Sequence, residues 1–338
     1  MQNQFNIFDI LFKDNKELSH SAVIKFLLEE DDFFYTHFLN TTKPQNPEIH
    51  LEYKLSKYNR ADILITGEDK IIIIENKFKC LPNANQLNEY SKELFDLPQK
   101  KENEKVIEKY LLYFHDSIDF HIPIDWKQIT YFNLVEILNQ YADNNIINPD
   151  KRIFLKHYLE SLTHYTENYL RIKNRDNLDD FFNITDNDSN FWLNIIFHEI
   201  NSIISKKRNY PTWVGSGSTY IPLINIHYPA WTYDNCNNVE YVIQLNGKKL
   251  KYYAHLNRIE DNEAKMIIVQ NEIQRLNQNG FDSKPCGEFK KITQRKVKTC
   301  FIYQENILER IKSENKIVNI DSLIWAIEDL MERINKVA

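Results

Sequence analysis

The sequence predicts an α/β domain followed by an α+β half. Three observations carry this. Strand-like runs at 49–55, 61–66 and 70–78 follow one another closely, with helical patterns on either side. The last run contains Ile71-Ile72-Ile73-Ile74 without polar alternation, as in a strand covered by helices on both faces. Beyond a polar, Asp- and Asn-rich stretch at 174–190, the texture changes to a hairpin and further helices. The 338 residues amount to about two domains. The boundary is set at 1–172 and 173–338.

In order, residues 5–12 carry a short helical pattern, and a second helix starts near Asp14. Asp14 and Glu17 have capping-box spacing, and Leu18, Val23, Ile24, Leu27 and Leu28 form the apolar face. The turn Gly67-Glu68-Asp69 joins the second and third strands as a hairpin. A helix runs from Pro82 to about Phe95. The lysine- and glutamate-rich stretch 99–105 is a solvated loop. Strands follow at 106–114 and 128–132, then helices at 133–141 and 150–171. Residues 174–190 read as a linker, with Phe181-Phe182 docked onto a core. In the second half, 240–245, Asn246-Gly247 and 248–255 make a hairpin. A helix at 260–279 ends at Gly280. Strands at 287–293 and 296–303 and helices at 305–315 and 320–337 complete the chain.

Composition excludes several function classes. The chain has 6 Gly, against about 24 at average usage, and has neither GxGxxG nor GxxxxGK[ST]. A nicotinamide oxidoreductase and a P-loop NTPase are therefore disfavoured. A net charge of -6 excludes a basic coat protein, but not a local basic groove. Cys80, Cys236, Cys286 and Cys300 form no CxxC pair, which argues against structural zinc and for a reducing cytoplasm. There is no signal-peptide pattern and no apolar run of membrane-spanning length, so no membrane partner is expected.

One constellation carries chemistry. Asp62 lies in a strand, and Glu75 and Lys77 lie at the end of the isoleucine strand after the turn. Alternation puts Glu75 and Lys77 on one face and Asn76 on the other. Two carboxylates on neighbouring strands can hold a hard divalent cation, with the Asn76 carbonyl as a further ligand. Lys77 can then orient a water and stabilise negative charge. This set suits phosphodiester hydrolysis.

The pattern Asp62…Glu75-x-Lys77 resembles the PD-(D/E)XK nuclease superfamily, although Ala61 stands where the family name has Pro. Gln86-Leu87-Asn88-Glu89-Tyr90 is similar to the QxxxY motif of RecB-like nucleases, and Glu17-Leu18-Ser19-His20-Ser21 to an E-x-x-H-S helix of a prokaryotic family. The resemblance covers about residues 10–165. It implies a restriction-endonuclease-like mixed sheet flanked by helices, with Mg²⁺ or Mn²⁺ as cofactor. It implies metal binding by Asp62, Glu75 and Asn76, with Glu17 as a further ligand. Catalytic parts fall to Lys77, Gln86, His20 and Tyr90. It further implies a nucleic-acid partner, DNA ahead of RNA, and a prokaryotic role in defence or DNA processing.

Plainer readings stand beside these. Glu17 serves equally as the capping partner of Asp14, His20 as a core histidine, and Tyr90 as a packing group. Arg60 and Lys79 flank the site as phosphate contacts or solvated strand ends. Lys290, Lys291, Arg295, Lys296 and Lys298 form a basic run that either tracks a nucleic-acid backbone or is a solvated face. Trp192, Trp213 and Trp231 are expected in the core, and 214–218 as a flexible loop. The second half is expected to supply substrate contacts, dimerisation or regulation, with a homodimer and an activating ligand or protein as open options. The rival reading keeps the fold in a catalytically silent or activator-dependent binding protein.

Overall fold

A computed structural model describes residues 16–78, 82, 84–95, 105–114, 122–144, 148–183, 187–208, 210–216, 221–227, 240–256, 262–283 and 299–336. The chain divides into two compact units, Met1–Leu170 and Arg171–Ala338.

The first unit begins with helices α1 (Lys16–Glu30) and α2 (Phe33–His37). Strands β1 (Glu48–Lys54), β2 (Arg60–Thr66) and β3 (Lys70–Lys77) follow, then helix α3 (Ala84–Phe95) and strands β4 (Val106–Tyr113) and β5 (Lys127–Thr130). Helices α4 (Tyr131–Asn144) and α5 (Pro149–Lys173) complete it, the last residues of α5 entering the second unit. The described strands form a mixed sheet in the order β1-β2-β3-β4-β5. The β1–β2 and β2–β3 pairs are antiparallel, and β3–β4 and β4–β5 are parallel. The β3–β4 crossover runs through α3, as a parallel pair requires.

The central strand is β3, and Ile71 to Ile74 are fully buried, as their unbroken apolar run predicts. On one face Leu64, Ile71, Ile73 and Leu111 pack against Leu87, Tyr90 and Leu94 of α3, with Trp126. Helix α1 packs against the sheet with Val23, Ile24, Leu27 and Leu28 buried. The β2–β3 turn closes with Gly67 N–H donating to the Lys70 carbonyl at 2.9 Å. A Cβ at Gly67 would lie 2.5 Å from the Pro44 Cβ, so the close approach of residues 44–45 demands glycine. Asp14 lies outside the described residues.

The second unit holds helix α6 (Asn187–Arg208) and strands β6 (Thr212–Ser216), β7 (Pro222–His227), β8 (Glu240–Asn246) and β9 (Lys249–His255). Helix α7 (Asn262–Gln278), strand β10 (Thr299–Asn306) and helices α8 (Ile307–Ser313) and α9 (Ile320–Asn335) follow. Its strands form an antiparallel sheet in the order β10-β9-β8-β7-β6. Three expectations are corrected. The stretch 174–190 is not a bare linker. Residues Asp179–Phe182 form a 3-10 turn with Phe181 and Phe182 buried, and Phe181 stacks on Trp192 at 5.4 Å. The stretch expected as a loop at 214–218 begins inside strand β6, paired to β7 through Gly215↔Leu223. Trp213 is 54% exposed. Its ring lies where a Cβ on Gly215 would have to sit, so the indole lies along the edge strand over the missing side chain. Trp231 and the strand expected at 287–293 lie outside the described residues.

Candidate metal centre

Register builds the site. Ile63 stands opposite Ile74 in the β2–β3 ladder, so one step further sets Asp62 opposite Glu75. Asp62 Oδ2 accepts a hydrogen bond from the Asn76 backbone N–H at 2.6 Å. Lys77 Nζ lies 2.6 Å from Glu75 Oε1. Glu75 is only 1% exposed, and its Oε2 is buried with no donor among the described residues.

Burial raises the pKa of Asp62 above the usual carboxylate range, against the opposing pull of the Asn76 N–H and Lys77. The charges of Glu17 and Glu52 add to the rise. Burial also raises Glu75, and the neighbouring Asp62 charge pushes it further. Burial acts to lower Lys77, but the Glu75 carboxylate beside it outweighs that, and the ammonium is held more firmly than usual. Two crowded carboxylates with one free buried oxygen, facing a single ammonium, lack positive charge. A hard divalent cation supplies it and favours such oxygen donors. Asp62, Glu75 and the Asn76 carbonyl therefore offer oxygen donors that would suit a hard divalent cation. Among the described residues no group of three or more His, Cys, Asp or Glu side chains is placed to hold a metal ion. A site of one or two carboxylates, completed by water and substrate oxygens, is the usual manner of Mg²⁺.

The Asn76 side chain takes the opposite face, as strand alternation predicts. Its Nδ2 donates to the Glu17 carbonyl and to Ser21 Oγ, both at 3.0 Å, and its Oδ1 accepts from the Tyr131 hydroxyl at 2.7 Å. Asn76 thus fastens α1 to the catalytic strand. Through that tie the half-buried Glu17 sits near enough for its charge to act on Asp62 and Lys77. His20 is fully buried, stacked on Phe78 at 4.1 Å, with Nδ1 3.0 Å from the Tyr158 hydroxyl. Its ring also meets Tyr131 edge-on at 5.2 Å.

Gln86 and Tyr90 form a chain of their own. Gln86 Nε2 donates to the Tyr90 hydroxyl at 2.6 Å, and that hydroxyl donates to the Arg60 carbonyl at 2.7 Å. The buried Tyr90 therefore grips the backbone two residues before Asp62. Arg60 itself is exposed at the start of β2, with Nη1 3.4 Å from Glu52. Lys79, Lys290, Lys291, Arg295, Lys296 and Lys298 lie outside the described residues.

Sequence reasoning passed over Glu52. The β1–β2 register brackets it between Leu51↔Ile63 and Tyr53↔Ala61, across from Asp62. Its φ of 50° is left-handed, a backbone state costly for a non-glycine residue. Only strand pairing brings it to Asp62, and no motif spacing signals it. Ser21 stands in the E-x-x-H-S pattern with no part assigned to it, and Tyr131 carried no signal; each acts through Asn76.

Residues 5–160 match a family model described as the PD-(D/E)XK nuclease superfamily. Over these residues the chain is similar to that superfamily, and its five-stranded mixed sheet flanked by helices is restriction-endonuclease-like. The superfamily is generally nucleolytic and typically uses divalent metals. No curated protein and no solved structure matches the chain. No helix among the described residues is long and apolar enough to cross a membrane.

Proposed function

We propose that the chain is a metal-dependent nuclease that hydrolyses phosphodiester bonds, in DNA ahead of RNA. The observation that carries this is the meeting of Asp62, Glu75 and Lys77 at one end of the β2–β3 ladder, with a Glu75 oxygen buried and undonated. Asp62, Glu75 and the Asn76 carbonyl hold Mg²⁺ or Mn²⁺. When bound, the cation lowers the pKa of a water and neutralises charge developing on the phosphate. Lys77, with its Nζ 2.6 Å from Glu75, orients the attacking water and stabilises negative charge. Glu17 adds a carboxylate on the α1 side. The family likeness supports a prokaryotic role in defence against foreign DNA or in DNA processing, in the cytoplasm.

The test is cleavage of circular and linear DNA with Mg²⁺, Mn²⁺ or EDTA, comparing wild type with Lys77→Ala. Metal-dependent cutting that falls about 10²–10³-fold in the variant is expected, the range for losing a transition-state donor. Equal residual cutting in both proteins would sink the assignment of Lys77. Inactivity of both at every metal would favour the silent or activator-dependent reading.

A further inference from the structure

The β1–β2 hairpin tip lies beside this site and has no part in the chemistry above. Residues 54–60 read Lys-Leu-Ser-Lys-Tyr-Asn-Arg, three bases and no acid in a chain of net charge -6. Lys54, Lys57, Tyr58 and Arg60 are all exposed, Tyr58 at 85%. A single exposed aromatic is ordinary, but this one is mounted on a fixed support. Leu55 and Ser56 donate their N–H groups to the Asn59 carbonyl at 3.0 and 3.2 Å. The Tyr58 and Asn59 N–H groups donate to Ser56 Oγ at 3.3 and 3.2 Å. Asn59 Nδ2 donates to Glu93 of α3 at 2.8 Å and to Glu89 at 3.4 Å. At the base of the tip, Tyr90 holds the Arg60 carbonyl. Asn59 thus holds Glu89 and Glu93 on the α3 side of the tip, and the solvent-exposed Arg60–Glu52 pair is weak in water and easily exchanged. Among the described residues Lys54 and Lys57 have no ion pair, and Lys57 Nζ lies 5.3 Å from the Tyr58 ring centroid. Tyr58 is four positions from Asp62, no more than about 14 Å along the chain.

We propose that this tip is a wing that grips the nucleic-acid strand beside the cleavage site, with the Tyr58 ring stacked on a base and Lys54, Lys57 and Arg60 on phosphates. The proposal rests on the nuclease reading. An aromatic face among unpaired bases is the chemistry of sequence-tolerant strand binding. The tip makes no metal contact, so it sets binding and not the chemical step.

The experiment is fluorescence anisotropy with labelled single- and double-stranded DNA and RNA oligonucleotides, in EDTA to prevent cleavage. Tyr58→Ala is expected to bind about tenfold more weakly, and Tyr58→Phe to bind as wild type. Lys57→Gln is expected to lower the salt slope by about one unit. Under turnover, Tyr58→Ala raises KM and leaves kcat unchanged. Tyr58→Ala binding as tightly as wild type at every salt concentration overturns the wing and leaves the nuclease reading intact. Wild type that neither binds nor cuts any of the oligonucleotides overturns both. The ring is exposed and Tyr58→Ala leaves the core intact, which an unchanged melting temperature checks.

Discussion

Replacing Asn76 by Ala tests whether one buried amide ties α1 to the catalytic strand. The side chain is fully buried and makes three hydrogen bonds, to the Glu17 carbonyl, Ser21 Oγ and the Tyr131 hydroxyl. Each is worth about 1 kcal/mol net, and the buried Tyr131 hydroxyl left without an acceptor adds about 1–2 kcal/mol. The expected loss is about 4–5 kcal/mol, large against the total stability of a domain. Tyr131→Phe breaks one of the three bonds and is expected to cost about 1–2 kcal/mol. Urea unfolding followed by circular dichroism measures both, read on the transition that Asn76→Ala displaces. A double-mutant cycle should return about 1 kcal/mol of coupling between the two positions. A loss below about 1 kcal/mol for Asn76→Ala, or no coupling with Tyr131, would refute the bridge. The backbone N–H that Asn76 gives to Asp62 survives the substitution, so a fall in activity would report the α1 connection.

Three further outcomes are expected. Because burial raises the folded pKa of Asp62, its contribution favours folding below the unfolded carboxylate pKa and is lost as pH rises through the folded value. Asp62→Asn should therefore gain melting temperature relative to wild type as pH rises across that window, while losing cleavage; a constant difference across pH would contradict the crowded-carboxylate account. Tyr90→Phe removes the grip on the Arg60 carbonyl and should cost about 1–2 kcal/mol, with kcat falling more than KM changes; an effect on KM alone would instead assign Tyr90 to substrate binding. Gly67→Ala forces a Cβ against Pro44 and should cost about 1–3 kcal/mol by overpacking, measured by thermal melting; a neutral result would show that the 44–45 segment yields.

Local signals in the sequence were enough for the centre of the first unit. The isoleucine run demanded a strand covered on both faces, and strand alternation divided Glu75 and Lys77 from Asn76 before any coordinates. The glycine turn set Asp62 and Glu75 on adjoining strands, and the ladder carries them side by side. Other elements gave weak local signals. Strand β6 has Gly215 next to its last residue and β7 begins with Pro222, features that read as loop but are tolerated at a strand start and where Trp213 covers the gap. Helix α6 was hidden behind a polar stretch that resembles a linker.

What the sequence alone determined was the meeting of Asp62, Glu75 and Lys77, because that depends on contacts only thirteen residues apart and on a period of two. Tertiary structure decided the rest. It turned Tyr90 toward the Arg60 backbone, buried His20 beneath Phe78, joined Glu17 to β3 through Asn76, and brought Glu52 across from Asp62. Each of these depends on elements distant in the chain meeting in one register, and pairing energy, not local propensity, selects that register.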